Sequence, residues 1–182
     1  MSARELIETL GLGPHFEGGW FRELYRSGIE VGAPQGRRTA LTSIYYLLEQ
    51  GQRSRWHVVS SDEVWHFYAG AGLELLAYDP GSRTLTRHVL ASPAAGGARA
   101  GSGSSGDPGA ASGDGRGRAQ GSVTVAVIPP GAWQAARPLG DYALVGCTVA
   151  PGFELMDFKF VADLPGHRAH FAGALAGYTG LL

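Results

Sequence analysis

The residues of this chain best suited to chemistry lie between Gly51 and Gly70. Five residues separate Gly51 from His57, and Glu63 follows His57 by six positions. Imidazole titrates near neutral pH and is the commonest general base in proteins, while a nearby carboxylate can fix its tautomer and orientation. The pair therefore predicts a proton-transfer or ligand-binding site, and the alternative interpretation is a buried structural hydrogen bond.

A proton-transfer site also needs an acid opposite the base, and two adjacent tyrosines are candidates. Tyr45 and Tyr46 lie within the run 39–48, which is rich in β-branched and aromatic residues. Successive side chains of a strand point to opposite faces, so only one of the two can face His57, and the sequence does not decide which. We take Tyr46 as a catalytic candidate beside His57 and Glu63, and Tyr45 as a ligand-binding candidate.

Four further residues are candidates for ligand binding. Gln134 follows a Pro-Pro-Gly turn, and its amide could hydrogen-bond a hydroxyl or carbonyl group. Trp20 and Trp133 each follow a glycine-bearing turn and are expected at the cavity rim, with core packing as the alternative. His66 stands three residues after Glu63, so strand alternation favours the opposite face and an interface role, although ligand binding stays open.

A tightly bound metal ion is not expected from this set. Stable catalytic metal sites use three or more protein ligands. Val59, on the same strand face as His57, supplies none, and Gln134 offers only a neutral amide oxygen. We therefore predict no metal and no other cofactor, with one alternative: a metal-dependent enzyme in which Gln134 and water join His57 and Glu63.

Short strands are predicted to position these residues. A helix over residues 2–10 is indicated by the capping-box spacing of Ser2 and Glu5 and by the stop at Gly11. Many short strands with turn signals between them favour an all-β sandwich or barrel. The strand-like runs are 20–26, 39–48, 56–59, 63–68, 73–78, 84–90, 123–128, 142–149 and 156–161.

Residues 91–121 differ in composition from the rest of the chain. This run contains mainly Gly, Ala, Ser and small polar residues, with no aromatic and no large aliphatic side chain. Such a segment cannot bury enough surface to offset its ordering entropy. We predict a flexible loop insertion within a single domain of residues 1–182; an arm over the pocket mouth or a partner-binding segment is the alternative. A short C-terminal helix is expected around residues 169–176.

The bulk composition narrows the classes of partner. The 182 residues carry a net charge of -1, with 15 basic and 16 acidic side chains. Without a basic stripe or a long apolar run, nucleic acid and membrane are not expected partners, and a small molecule is. The single cysteine, Cys147, is consistent with a reducing compartment, so a cytoplasmic location is predicted.

The spacing also resembles that of a known superfamily. The stretch from Gly51 to Gly70 matches the first cupin motif, G-x5-H-x-H-x3-E-x6-G, with Val59 in place of the second His. The second cupin motif is P-x-G-x2-H, and Gln134 stands at the position of its His. Longer runs resemble the cupin-5 branch. They are HFEGGWFRE, SIYYLL, SRWHVVSSDEVWHFYAG, VIPPGAWQAA and LVGCTVAPGFELMDFKF.

This resemblance implies a cupin double-stranded β-helix, or jelly-roll barrel, that pairs into homodimers. Members of the branch are often labelled predicted sugar epimerases and also have Gln at the position of Gln134, while Phe16 departs from their usual Pro. Related deoxysugar epimerases use a His base and a Tyr acid without metal. The implied function is a metal-free pocket for a small polar metabolite, with sugar or nucleotide-sugar epimerase or isomerase chemistry. The alternative is a non-catalytic small-molecule binding or sensor protein.

Overall fold

A computed structural model describes residues 1–93, 122–164, 175 and 177–181 of the chain. From residue 94 onward the predicted insertion lies outside these residues, as does the predicted helix at 169–176 apart from Leu175. Within the described residues there are one α-helix, α1 (Ala3–Leu10), and thirteen strands. The strands are β1 (Gly13–Pro14), β2 (Trp20–Arg26), β3 (Glu30–Ala33), β4 (Gly36–Thr39), β5 (Thr42–Glu49), β6 (Ser54–Val59), β7 (Asp62–Gly70), β8 (Leu73–Asp79), β9 (Thr84–Leu90), β10 (Val125–Ile128), β11 (Trp133–Pro138), β12 (Tyr142–Ala150) and β13 (Phe158–Phe160).

The N-terminal helix begins and ends as predicted. The Ser2 hydroxyl accepts a hydrogen bond from the Glu5 backbone N–H, the Glu5 carboxylate accepts one from the Ser2 backbone N–H, and Gly11 ends the helix in the left-handed conformation. Leu6 packs with Leu47 of β5 in one apolar cluster. The helix therefore covers part of one sheet from outside.

Two antiparallel sheets form the body of the molecule. The strand order is β1-β2-β5-β12-β7-β10 in the six-stranded sheet and β13-β6-β11-β8-β9 in the five-stranded sheet, while β3 and β4 form a separate hairpin. The predicted all-β jelly roll is confirmed, although in the described residues the sheets do not close into one continuous barrel. No helix among those residues is long and apolar enough to cross a membrane.

The main core lies between the inner faces of the two sheets. Tyr46, Trp65 and Cys147 project into it from the six-stranded sheet, and Leu75 and Ala136 from the other. Strand alternation decides which side chains face inward.

Candidate functional site

A cavity of about 520 Å³ opens along the inner face of the six-stranded sheet. Most of its wall comes from β2, β5, β7 and β12, and the loop before β2, Val59 of β6 and the segment after β12 complete it. Its volume falls in the range of small-molecule sites. The lining residues are His15, Phe16, Glu17, Phe21, Glu23, Arg26, Thr42, Ile44, Tyr46, Val59, Glu63, Trp65, Cys147, Val149, Phe153 and Leu155.

Glu63 lies in the cavity wall as a buried carboxyl group. It is only 7% exposed, and it accepts a hydrogen bond from Gln134 Nε2 at 2.5 Å. Gln134 Oε1 in turn accepts a hydrogen bond from Trp65 Nε1 at 3.0 Å, which sets the orientation of the amide. Burial raises the pKa of Glu63 to about 7, and the nearby His57 and the Gln134 hydrogen bond only partly offset this effect.

His57 lies close to Glu63 but not in the cavity wall. Its ring is stacked on Phe158 with 5.1 Å between ring centroids, and only 1% of the residue is exposed. Its Nδ1 lies 2.7 Å from the Arg55 carbonyl oxygen and therefore carries the proton. Burial lowers the pKa of His57, which favours the neutral form of the ring. The fold thus brings His57 and Glu63 together, but only the Glu63 side chain lines the cavity.

Tyr46 is the tyrosine that faces the cavity. It is buried, and its hydroxyl donates to the Gly18 carbonyl oxygen at 2.8 Å. Burial raises the pKa of Tyr46 well above its ordinary value. Tyr45 points to the outer face of the same sheet, where its ring meets Tyr68 edge-on at 5.9 Å. Alternation along β5 thus answers the question that the sequence left open.

Three more of the predicted ligand-binding residues, like Tyr45, lie away from this cavity. Trp20 is on the outer face of the six-stranded sheet, where its Nε1 donates to Glu49 at 2.9 Å. Trp133 packs in the apolar cluster outside the five-stranded sheet, so it is not at the rim where we expected it. His66 follows the inward-facing Trp65 along β7 and therefore lies on the outer face. A binding role for these residues stays a prediction that the cavity does not support.

Among the cavity residues that the sequence did not indicate are two titratable groups, Glu17 and His15. Glu17 is a buried carboxyl whose Oε2 accepts a hydrogen bond from Ser54 Oγ at 2.7 Å and lies 3.7 Å from His57 Nδ1. Burial raises the pKa of Glu17 and lowers that of His15, which also lines the cavity. Both lie in the loop between β1 and β2, where no strand periodicity indicates which way a side chain points.

The fold and cavity together define a protein of the cupin class. The chain belongs to the Cupin_5 family, described as Cupin superfamily (DUF985), whose model matches residues 4–101 and 113–161. No curated protein matches the chain.

Solved structures agree with this assignment. A hypothetical protein from Leishmania major is 26% identical, with a TM-score of 0.72, over 100% of this chain and 96% of that one. A protein from Shewanella oneidensis is 27% identical, with a TM-score of 0.70, over 100% and 94%. Oxalate decarboxylase from Bacillus subtilis, at 12% identity and a TM-score of 0.52 over 93% of this chain and 36% of that one, shares the fold alone.

The residues present do not fit the metal site that the cupin fold often carries. In the described part of the chain, no group of three or more His, Cys, Asp or Glu side chains is placed to hold a metal ion. The Gln134 oxygen already accepts from Trp65, and His57 Nδ1 is engaged by the Arg55 carbonyl. Glu63, Gln134 and Trp65 therefore form one hydrogen-bonded chain, and His57 and Glu63 alone are fewer than the three protein ligands of a stable site.

Proposed function

We propose that the cavity binds a small metabolite and that Glu63 moves a proton to or from it, as in an epimerase or isomerase. The observation that carries this proposal is a buried carboxyl group in the cavity wall whose pKa is raised to about 7. A general acid–base works best when its pKa lies near the operating pH. At neutral pH both forms of Glu63 are populated, so it can accept and return a proton.

The neighbours of Glu63 have supporting roles in this proposal. Gln134 holds the carboxylate in place and is itself oriented by Trp65. His57 acts from behind the wall as a neutral positioning group, because it does not line the cavity. Tyr46, like Thr42, brings a hydroxyl group to the cavity that Glu63 lines.

Proton transfer at carbon leaves an isotopic record that tests the proposal without knowledge of the product. The protein is incubated in D₂O with pools of small metabolites, and mass spectrometry is used to find compounds that gain deuterium. We expect exchange with the wild type and a loss of at least 100-fold in Glu63→Gln, the usual scale of general acid–base catalysis. Glu30→Gln, at an exposed carboxylate paired with Arg37, is the matched control. Exchange that persists in Glu63→Gln would contradict the assignment.

A non-catalytic binding or sensor protein is the second candidate. One observation favours it: the Tyr46 hydroxyl already donates to the Gly18 carbonyl, which leaves it poorly placed to donate to a substrate. A compound that binds with Glu63-dependent affinity but never exchanges hydrogen with D₂O would favour this candidate over the enzyme.

A further inference from the structure

We infer that the ligand of this cavity is an organic ammonium compound, whose positive head lies against Glu63 and Glu17 and whose apolar body lies along the aromatic wall. This inference rests on the proposed binding function and narrows the ligand to one chemical class. It differs from the sugar or nucleotide sugar that the family resemblance implies.

The first support is a shortage of positive charge around the two buried carboxylates. Glu63 is hydrogen-bonded by the neutral amide of Gln134, and Glu17 by the hydroxyl of Ser54. Within the described residues neither forms an ion pair with Arg or Lys, and the nitrogen 3.7 Å from the Glu17 carboxylate belongs to the imidazole of His57, whose neutral form is favoured by burial. Burial of a carboxylate without a cationic partner is costly. A ligand cation would supply the missing partner.

Arg55, the arginine that acts on Glu17, does not fill this role for both carboxylates. Arg55 acts on Glu17 only as a weaker influence through space. Its guanidinium lies over the Phe160 ring, 4.1 Å from the centroid, and donates to the Phe16 carbonyl. Glu63 has no arginine among the groups that shift its pKa. The charge shortage is therefore greatest at Glu63.

The second support is the aromatic wall beside the carboxylates. The ring centroids of His15 and Phe21 are 4.5 Å apart, those of His15 and Tyr46 5.2 Å, and those of Tyr46 and Trp65 6.0 Å. All four residues line the cavity. Aromatic rings attract ammonium groups through their electron-rich faces, and they also favour an apolar ligand body. An aromatic wall combined with acidic groups suits an ammonium ligand.

The third support concerns the ligands that the cavity would reject. Of its described lining residues, only Arg26 carries a fixed positive charge. The Arg26 guanidinium is held by Glu23 at 2.9 Å and by Glu154 at 3.0 Å, so it is not free to bind an anion. A diphosphate or carboxylate would enter without a counter-ion and would face Glu17 and Glu63. Anionic ligands, including nucleotide sugars, are thus disfavoured.

The test compares ligands of similar shape and different charge. Phenethylammonium, benzyltrimethylammonium, 2-phenylethanol and phenylacetate are titrated at pH 8 into the wild-type chain and into Glu63→Gln, by calorimetry and by thermal shift, since a ligand of the folded state raises Tm by mass action. We expect at least one ammonium compound to bind tenfold or more tightly than the alcohol, and phenylacetate to bind least. In Glu63→Gln the ammonium preference should fall at least tenfold, and in Glu17→Gln by a smaller factor.

The outcomes separate this inference from the proposed function. If the alcohol or phenylacetate binds as tightly as the ammonium compounds, the ammonium class is wrong while small-molecule binding stands. The class is also wrong if Glu63→Gln, shown to be folded by circular dichroism, binds the ammonium compounds as the wild type does. If none of the four probes binds, the ammonium class is wrong, and the proposed proton transfer is decided separately by the D₂O exchange experiment. Glu30→Gln is the matched control and should behave as the wild type.

Discussion

Two buried glutamates on consecutive strands show how differently this fold treats the same side chain. Glu74 on β8 is 2% exposed and Glu63 on β7 is 7% exposed. Glu74 is paired with Arg87 and with Arg137, the latter at 2.5 Å. Glu63 is instead met by the uncharged amide of Gln134. A fully paired buried carboxylate is typical of a structural role, whereas one left without a cation in a cavity wall is typical of a functional site.

Removing the charge of Glu74 should have the largest effect on stability. In Glu74→Gln both arginines lose their carboxylate partner, and breaking a buried ion pair costs about 3–5 kcal/mol. Arg87 and Arg137 are partly exposed and can regain some hydration, so we expect the lower end of that range. Urea denaturation at pH 7 measures the change. An unchanged denaturation midpoint would show that the ion pairs of Glu74 do not stabilise the fold, and the contrast with Glu63 would fail.

The same substitution at Glu63 should have the opposite sign. The pKa of Glu63 rises from 4.5 to about 7 on folding, so between these pH values the folded state binds more protons than the unfolded state. Stability therefore falls as pH rises from about 4.5 to about 7, by on the order of 3 kcal/mol in total. Glu63→Gln removes this loss and should be more stable than the wild type at pH 8, but not at pH 4.5.

Other titratable groups face Glu63, and the experiment must separate their contributions to the pH dependence of stability from that of Glu63. His57, Glu17 and Cys147 act on Glu63 through charge or hydrogen bonding. They are present in both proteins, so the difference between the two stability curves, measured by urea denaturation from pH 4.5 to pH 8, mainly reports Glu63. A difference that stays flat across this range would contradict the raised pKa and remove the main support for the proposed proton transfer.

Strand alternation explains why much of the fold was predictable. The run predicted at 63–68 is part of β7 (Asp62–Gly70), and 84–90 coincides with β9 (Thr84–Leu90). The β3–β4 hairpin and β11 were not predicted. The hairpin sequences EVGA and GRRT and the alanine-rich β11, WQAARP, have little local strand preference. β11 is set by its pairing with β6 and β8 on either side.

The site was predictable only where a strand carries the residue. Alternation placed Glu63 and His66 on opposite faces, but it could not tell that His57 would lie behind the cavity wall, because alternation gives the face and not the depth. Glu17 precedes β2 and contacts Ser54 through tertiary packing, which no periodicity encodes. The homodimer and the cytoplasmic location stay predictions.

Gln134 is the residue that most directly distinguishes the surroundings of Glu63 from those of Glu74. Of the substitutions at Glu74, Glu63 and Gln134, the one at Gln134 should change stability least. Gln134→Met keeps a similar side-chain volume but leaves the Trp65 indole N–H and the Glu63 carboxylate without their partner. Leaving a buried polar group unpaired costs about 1–3 kcal/mol, and we expect the lower end because the Glu63 carboxyl group can take up a proton when the Gln134 hydrogen bond is lost.

Because the Gln134 hydrogen bond lowers the pKa of Glu63, its loss should raise that pKa further and move the fall in stability to higher pH. Urea denaturation from pH 5 to pH 9, compared with Glu63→Gln and with the double variant, measures both effects. In the double variant the shift in pH dependence should vanish, since the carboxyl group that titrates is gone. A shift that survives there would mean that Gln134 acts on another group, such as Glu17, and that the neutral amide is not what tunes Glu63.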